Sequence, residues 1–128
     1  MSASIEPITT AEAAFPAAHY SQCVRAGEYV WTSGTVGTDP RTGAVVEGFE
    51  AQVHQAIANV RAALRAADSD LDQVIKTNCF VTNRSDFLKL DPIYRDYFPT
   101  PPGRTTIVCD LVFEELLFEI EAVALVAR

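Results

Sequence analysis

The chain has 128 residues, 48% hydrophobic and 9% aromatic, which suits one domain with a closed core and excludes a disordered chain. Ten Lys and Arg stand against seventeen Asp and Glu, a net charge of −7 with no basic cluster, so neither nucleic acid nor an anionic membrane is an expected partner. No apolar run reaches the ~18 residues of a spanning segment, no signal-peptide pattern opens the chain, and three scattered cysteines without a CxxC make no disulfide framework; a cytoplasmic, reduced protein is expected.

One domain is expected over residues 1–128, with the first dozen loosely organised. "YSQCVRA" and "EYVWTSG" read as strands joined by a hairpin at Ala26-Gly27, and "GTDPRTGAVV" as turn chemistry. Phe49, Val53, Ile57, Val60 and Leu64 then recur at steps of three and four, which predicts an amphipathic helix over residues 48–67. Gln52, Gln55, Asn59, Arg61 and Arg65, with His54, fall on its polar positions. "QVIKTNCFVT" reads as a strand. A second helix ends at Phe98, with Asp91 as its N-cap and Pro92 in its first position. "RTTIVCDLV" and "LLFEIEAVALVA" are the last two strands. The order β-β-α-β-α-β-β predicts an α+β two-layer sandwich, a five- or six-stranded mixed sheet with two helices on one face. The last strand is mostly apolar on both sides, which a two-layer monomer cannot cover, so a homo-oligomer packed through the open sheet face is expected.

Two features carry chemistry. Glu119 and Glu121 share one face of the last strand among apolar neighbours. Either both reach water near the strand's start, or one holds a proton-transfer post in a half-buried cleft. Arg104 follows the Pro- and Gly-rich "PTPPG" at the mouth of an apolar strand, where a guanidinium needs an anion: a ligand, or one of the two glutamates. "TSGTVG" lacks the pattern of a nucleotide loop, and no His/Cys cluster has metal spacing.

Six segments in register, "YSQ", "VWTSGTVGTDPRTG", "VIKTNCFVTNRSDF", "IYRDYF", "PGRTT" and "EIEAVA", resemble the reactive intermediate deaminase (Rid, formerly YjgF) family over about residues 16–127. The resemblance implies a fold like the Bacillus-type chorismate mutase and a homotrimer with intersubunit clefts. It also implies cofactor-independent hydrolysis of 2-imino acids or their enamines to 2-oxo acids and ammonia, with no metal. Residue by residue, it implies that Arg104 binds a substrate carboxylate and that Glu119 positions water. It implies likewise that Tyr20 covers the substrate, that Ser33 and Gly34 lie at the cleft, that the backbone of Thr106 meets the ligand, and that Glu121 is structural.

This chain departs from the family pattern at Ala18-His19 before Tyr20, at Asp91 where Asn is frequent, at Thr106 where Cys is common, and in the loop "LVFEELLF". All line or approach the cleft and leave the substrate open. Rival readings are a pathway-specific deaminase or amidohydrolase for an aminoacrylate-, carbamate- or aminomuconate-like compound, and a non-catalytic trimer that binds small carboxylates. A ribonuclease fits the net charge least.

Overall fold

The alternation Phe118, Ile120, Ala122, Ala124 near the C-terminus becomes the buried side of a central strand, around which the rest of the sheet is built. The computed structural model describes residues 4–127. In chain order the elements are β1 (Ile5–Ile8), β2 (Cys23–Ala26), β3 (Tyr29–Thr32), β4 (Thr35–Val36), α1 (Phe49–Ala66), β5 (Val74–Val81), α2 (Phe87–Tyr97), β6 (Gly103–Val108) and β7 (Phe118–Leu125). The sheet runs β1-β2-β3-β7-β5-β6, with β4 added to β7 beyond the end of β3. Every pair is antiparallel except β5 and β6, which are parallel and joined through α2, as a parallel connection requires a crossover.

Both helices cover one face. Thr77, Cys79 and Val81 of β5 stand opposite Ala122, Ile120 and Phe118 of β7, and all six are buried. Phe49 of α1 meets Phe118 edge-to-face at 5.9 Å, and the Tyr94 hydroxyl of α2 pairs with that of Thr77 at 2.8 Å. Ile57, Leu64, Leu90, Phe118 and Ile120 are fully buried, each contributing about 1.5–3 kcal/mol of transfer energy. The opposite face is open. Tyr29 and Trp31 of β3 face Leu125 and Val123 of β7 across the ladder, and the two rings are 44% exposed.

Four expectations need correction. Among the described residues the sheet has seven strands. One extra is β1, inside the stretch expected to be loose; Pro7 hides it as a strand, yet a residue without an N–H suits the sheet edge that β1 occupies. The other arises because the strand expected through residue 34 breaks after Thr32, and the Thr32 hydroxyl accepts the Ala122 N–H at 2.9 Å where the ladder is interrupted.

Asp91 is not an N-cap. The helix starts at Phe87, fed by a 3-10 turn at Arg84–Asp86, because Leu90 must be buried one turn before Ile93 and Tyr94. Pro92 therefore sits inside α2 and leaves the carbonyl of exposed Leu88 without its helical donor. Finally, Gln52 and Asn59 are buried on the core stripe of α1, each 2% exposed, because their amides serve loops that cross the helix.

Candidate functional site

The break between β3 and β4 opens a cavity of about 520 Å³ beside β7. Its rim carries four of the expected site residues, Tyr20, Ser33, Gly34 and Glu119, and its walls include Val36, Phe113 and Leu116. Glu119 stands opposite Val36 and Phe80 on the open side of the sheet. Its carboxylate lies directly over Gly34, where any Cβ would collide with it. Glycine at 34 is thus a condition for the position of the acid. The Glu119 carboxylate has no hydrogen-bond or ion-pair partner among the described residues. Burial, and then the charge of Glu121, push its pKa above the ordinary carboxylate value. Glu121 differs in kind, since it accepts a hydrogen bond from the Asn78 amide at 3.0 Å.

The hydroxyls at the rim are partly spent. Ser33 donates its proton to the Ser21 carbonyl at 2.6 Å, so its oxygen is left to a ligand as an acceptor. The Tyr20 hydroxyl accepts the Ala17 N–H at 3.2 Å, which leaves its own proton free and holds the ring, half exposed, against the loop.

Three buried amides, none singled out by the sequence, hold the cavity's walls. Gln22 takes the Thr10 N–H on its oxygen at 2.7 Å and donates its Nε2 to the carbonyls of Thr10, Ala13 and Ala14. It thereby fixes the loop that carries Phe15 and Tyr20. Gln52 clamps the last loop by donating to the Glu115 carbonyl and accepting the Leu117 N–H. Asn59 donates to the carbonyls of Val36 and Thr38. No spacing rule flags them, because their partners are backbone groups of distant loops.

Arg104, Asp91 and Thr106 form a second cluster that does not meet the first within one chain. Arg104 stands opposite Thr77 in the parallel ladder, on the helix-covered side, whereas Glu119 stands opposite Phe80, on the open side. The guanidinium carbon lies 4.7 Å from the ring centre of Tyr94 and 5.8 Å from that of Phe87. Its Nη1 is 2.8 Å from Asp91 Oδ1, an ion pair whose N–H is not aligned as a hydrogen bond. The anion that meets Arg104 inside the chain is therefore Asp91 and neither glutamate. The Thr106 hydroxyl is buried without a hydrogen-bond partner among the described residues.

His19 is exposed outside the cavity lining, and His54 is exposed on α1 with its Nδ1 2.7 Å from the Tyr97 hydroxyl. Burial pushes the thiols of Cys23 and Cys79 to about 11, which leaves them protonated and unreactive at neutral pH. Among the described residues no three His, Cys, Asp or Glu side chains gather as a metal site, and no helix is long and apolar enough to cross a membrane.

The sequence profile described as endoribonuclease L-PSP matches residues 10–126. A 2-iminobutanoate/2-iminopropanoate deaminase of Salmonella typhimurium is 36% identical over 109 residues, covering 82% of this chain and 85% of that protein. The crystal structure of RidA from an Antarctic Psychrobacter superposes with a TM-score of 0.90 at 33% identity, over 94% of this chain and 98% of that one. Escherichia coli TdcF with bound serine superposes with the same TM-score at 28% identity, over 95% and 99%.

Proposed function

The chain belongs to the reactive intermediate deaminase family, and we propose that it hydrolyses 2-imino acids, or their enamine tautomers, to 2-oxo acids and ammonia. The observation that carries this reading is the unpartnered Glu119 carboxylate over Gly34, at the rim of a cavity large enough for a small carboxylic acid. The deaminase activity in the name of the Salmonella relative, and the amino acid bound to TdcF, support the substrate class. The nuclease description of the profile is not carried over, because a net charge of −7 opposes the approach of a polyphosphate chain.

Arg104 and Glu119 face opposite sides of the sheet, so a cleft with both needs a second copy. We infer a homotrimer in which the open, Glu119-bearing face of one subunit abuts the β6–α2 edge of the next. Such a head-to-tail contact closes into a ring. It would also cover Tyr29, Trp31, Val123 and Leu125.

In this cleft Arg104 offers two parallel N–H donors to the substrate carboxylate and so fixes the C=N carbon. Glu119, made a stronger base than an ordinary carboxylate by burial and by the charge of Glu121, takes a proton from a water as that water's oxygen bonds to the carbon. The C=N electron pair moves to nitrogen and gives a carbinolamine. Glu119 returns the proton to nitrogen, the hydroxyl's electrons form the new C=O, and the C–N bond breaks. The hydroxyl proton ends on the released ammonia. No redox partner is consumed.

The test is ammonia release from imino acids generated in situ by an amino-acid oxidase. Acceleration that depends on Glu119 is expected. Tight binding of small carboxylates with no acceleration would instead favour the non-catalytic trimer. Activity confined to carbamate- or aminomuconate-like compounds would favour the pathway-specific enzyme.

A further inference from the structure

We propose that Asp91 makes this site selective for a zwitterion: with Arg104 it recognises the protonated, iminium form of the substrate and disfavours the 2-oxo acid product. The proposal rests on the reading of Arg104 as the carboxylate anchor. It is carried by three polar groups whose hydrogen-bonding capacity is unspent and which α2 and β6 bring to one place. Arg104 donates no hydrogen bond to any described residue; its close neighbours are two rings and Asp91. Asp91 Oδ1 is 2.8 Å from the guanidinium but accepts no aligned hydrogen bond. The Thr106 hydroxyl lies two residues along the same strand face from Arg104, buried and unpartnered.

A ligand that is only an anion fits this cluster poorly. Its carboxylate would satisfy Arg104 but would meet the Asp91 carboxylate at close range, where like charges repel. A ligand with a carboxylate and a cationic N–H on adjacent carbons fits both. The carboxylate takes the guanidinium and the nitrogen donates to Asp91. A protonated 2-imino acid has this layout. Its product has a carbonyl oxygen where the iminium nitrogen was, so an acceptor then faces Asp91 and no donor remains for it. Asp91 thus gains a charged hydrogen bond from the substrate and loses it on turnover, which favours release of product.

The substitution Asp91→Asn keeps the shape at a position whose side chain is 44% exposed, so the fold is expected to stand. Calorimetric titration of the wild type and this variant with L-alanine, a stable zwitterion, and pyruvate, the matching 2-oxo acid, separates the cases. The wild type is expected to bind alanine more tightly than pyruvate by about tenfold, the size of one charged hydrogen bond. In the variant alanine weakens and pyruvate tightens, so the order inverts. A variant that shifts both ligands in one direction, or neither, overturns the role of Asp91 and shows that it only positions Arg104 or does nothing. If the wild type binds neither ligand, or Arg104→Ala leaves both affinities unchanged, the carboxylate-anchor reading itself fails and this inference falls with it.

Discussion

The cavity half of the site and the arginine half solve opposite problems. At the cavity a carboxylate is held among apolar walls over a glycine, with no partner and a like charge nearby, and its pKa rises in consequence. At the β6–α2 edge a cation lies over two rings beside a half-exposed carboxylate, so its charge is already answered. The first arrangement costs the fold stability and leaves a stronger base than an ordinary carboxylate. The second costs little and leaves donors that can turn to a ligand. The acid is poised by isolation and the arginine by company, and the variants below separate the two.

The largest effect is expected at the isolated acid. Glu119→Gln keeps the shape and removes the base, so kcat should fall by about 10²–10⁴-fold with little change in KM. Its melting temperature should equal or exceed that of the wild type, since the exchange removes a desolvated charge. Ammonia release and thermal melts check both, and full activity in this variant would end the case for Glu119 as the base.

At the arginine the effect on activity is smaller and the effect on stability slight. Arg104→Lys keeps the charge and loses the two-pronged geometry, for about tenfold to a hundredfold in kcat/KM. Arg104→Ala should lose more activity, yet less than about 1 kcal/mol of stability, because its partner Asp91 is half exposed. If each cleft takes Glu119 from one subunit and Arg104 from the next, mixing the inactive Glu119→Gln and Arg104→Ala variants through unfolding and reassembly restores about a quarter of the sites. No recovery on mixing would place both residues in one subunit's cleft, against the geometry described above.

The same contrast explains what could be read from the sequence. The helix of α1 and the strands β5 and β7 follow from apolar periodicity, because one buried stripe sets each of them. Arg104 and Glu119 stand out because a charge among apolar neighbours violates that periodicity. Their distribution over two faces does not show, since it depends on which side of the sheet the helices cover. Asp91 reads as a cap because Pro92 follows it, but burial of Leu90 overrides that local signal and starts α2 a turn earlier. Gln22, Gln52 and Asn59 look like surface residues for a comparable reason. Their burial is repaid by backbone groups of loops 8 to 65 residues away, which no window of sequence contains.

Gln22 gives a third, intermediate prediction on the cavity side. Gln22→Ala removes the amide that holds residues 10–14 and leaves several backbone groups without partners, for about 1–3 kcal/mol of stability. Tyr20 rides on the same loop, so KM should rise more than kcat falls. Arg104, Asp91 and Thr106 are not among the residues lining the cavity that this loop borders. A variant with unchanged KM and unchanged melting temperature would show that the loop is held by other means.

The smallest effect expected is the pH dependence of stability contributed by Glu119. Its folded-state pKa lies above the ordinary carboxylate value, so between the two values the folded chain binds more protons than the unfolded chain. Stability from this group is therefore full below the ordinary value and is lost as pH rises through the raised one. Asp70 has the opposite sign. Its burial is outweighed by the Leu71 N–H and by Arg65, its pKa is lowered, and its contribution is lost as pH falls. Subtracting the melting profile of Glu119→Gln from that of the wild type cancels Asp70 and the other shared groups. The wild type should match the variant in acid and fall below it as pH rises through the window, then stay parallel. A wild type that is instead the more stable at neutral pH would overturn this expectation. It would mean that assembly sets a cation directly on Glu119, with the neighbour's Arg104 reaching the acid itself, and that the isolation of this half of the site ends when the subunits meet.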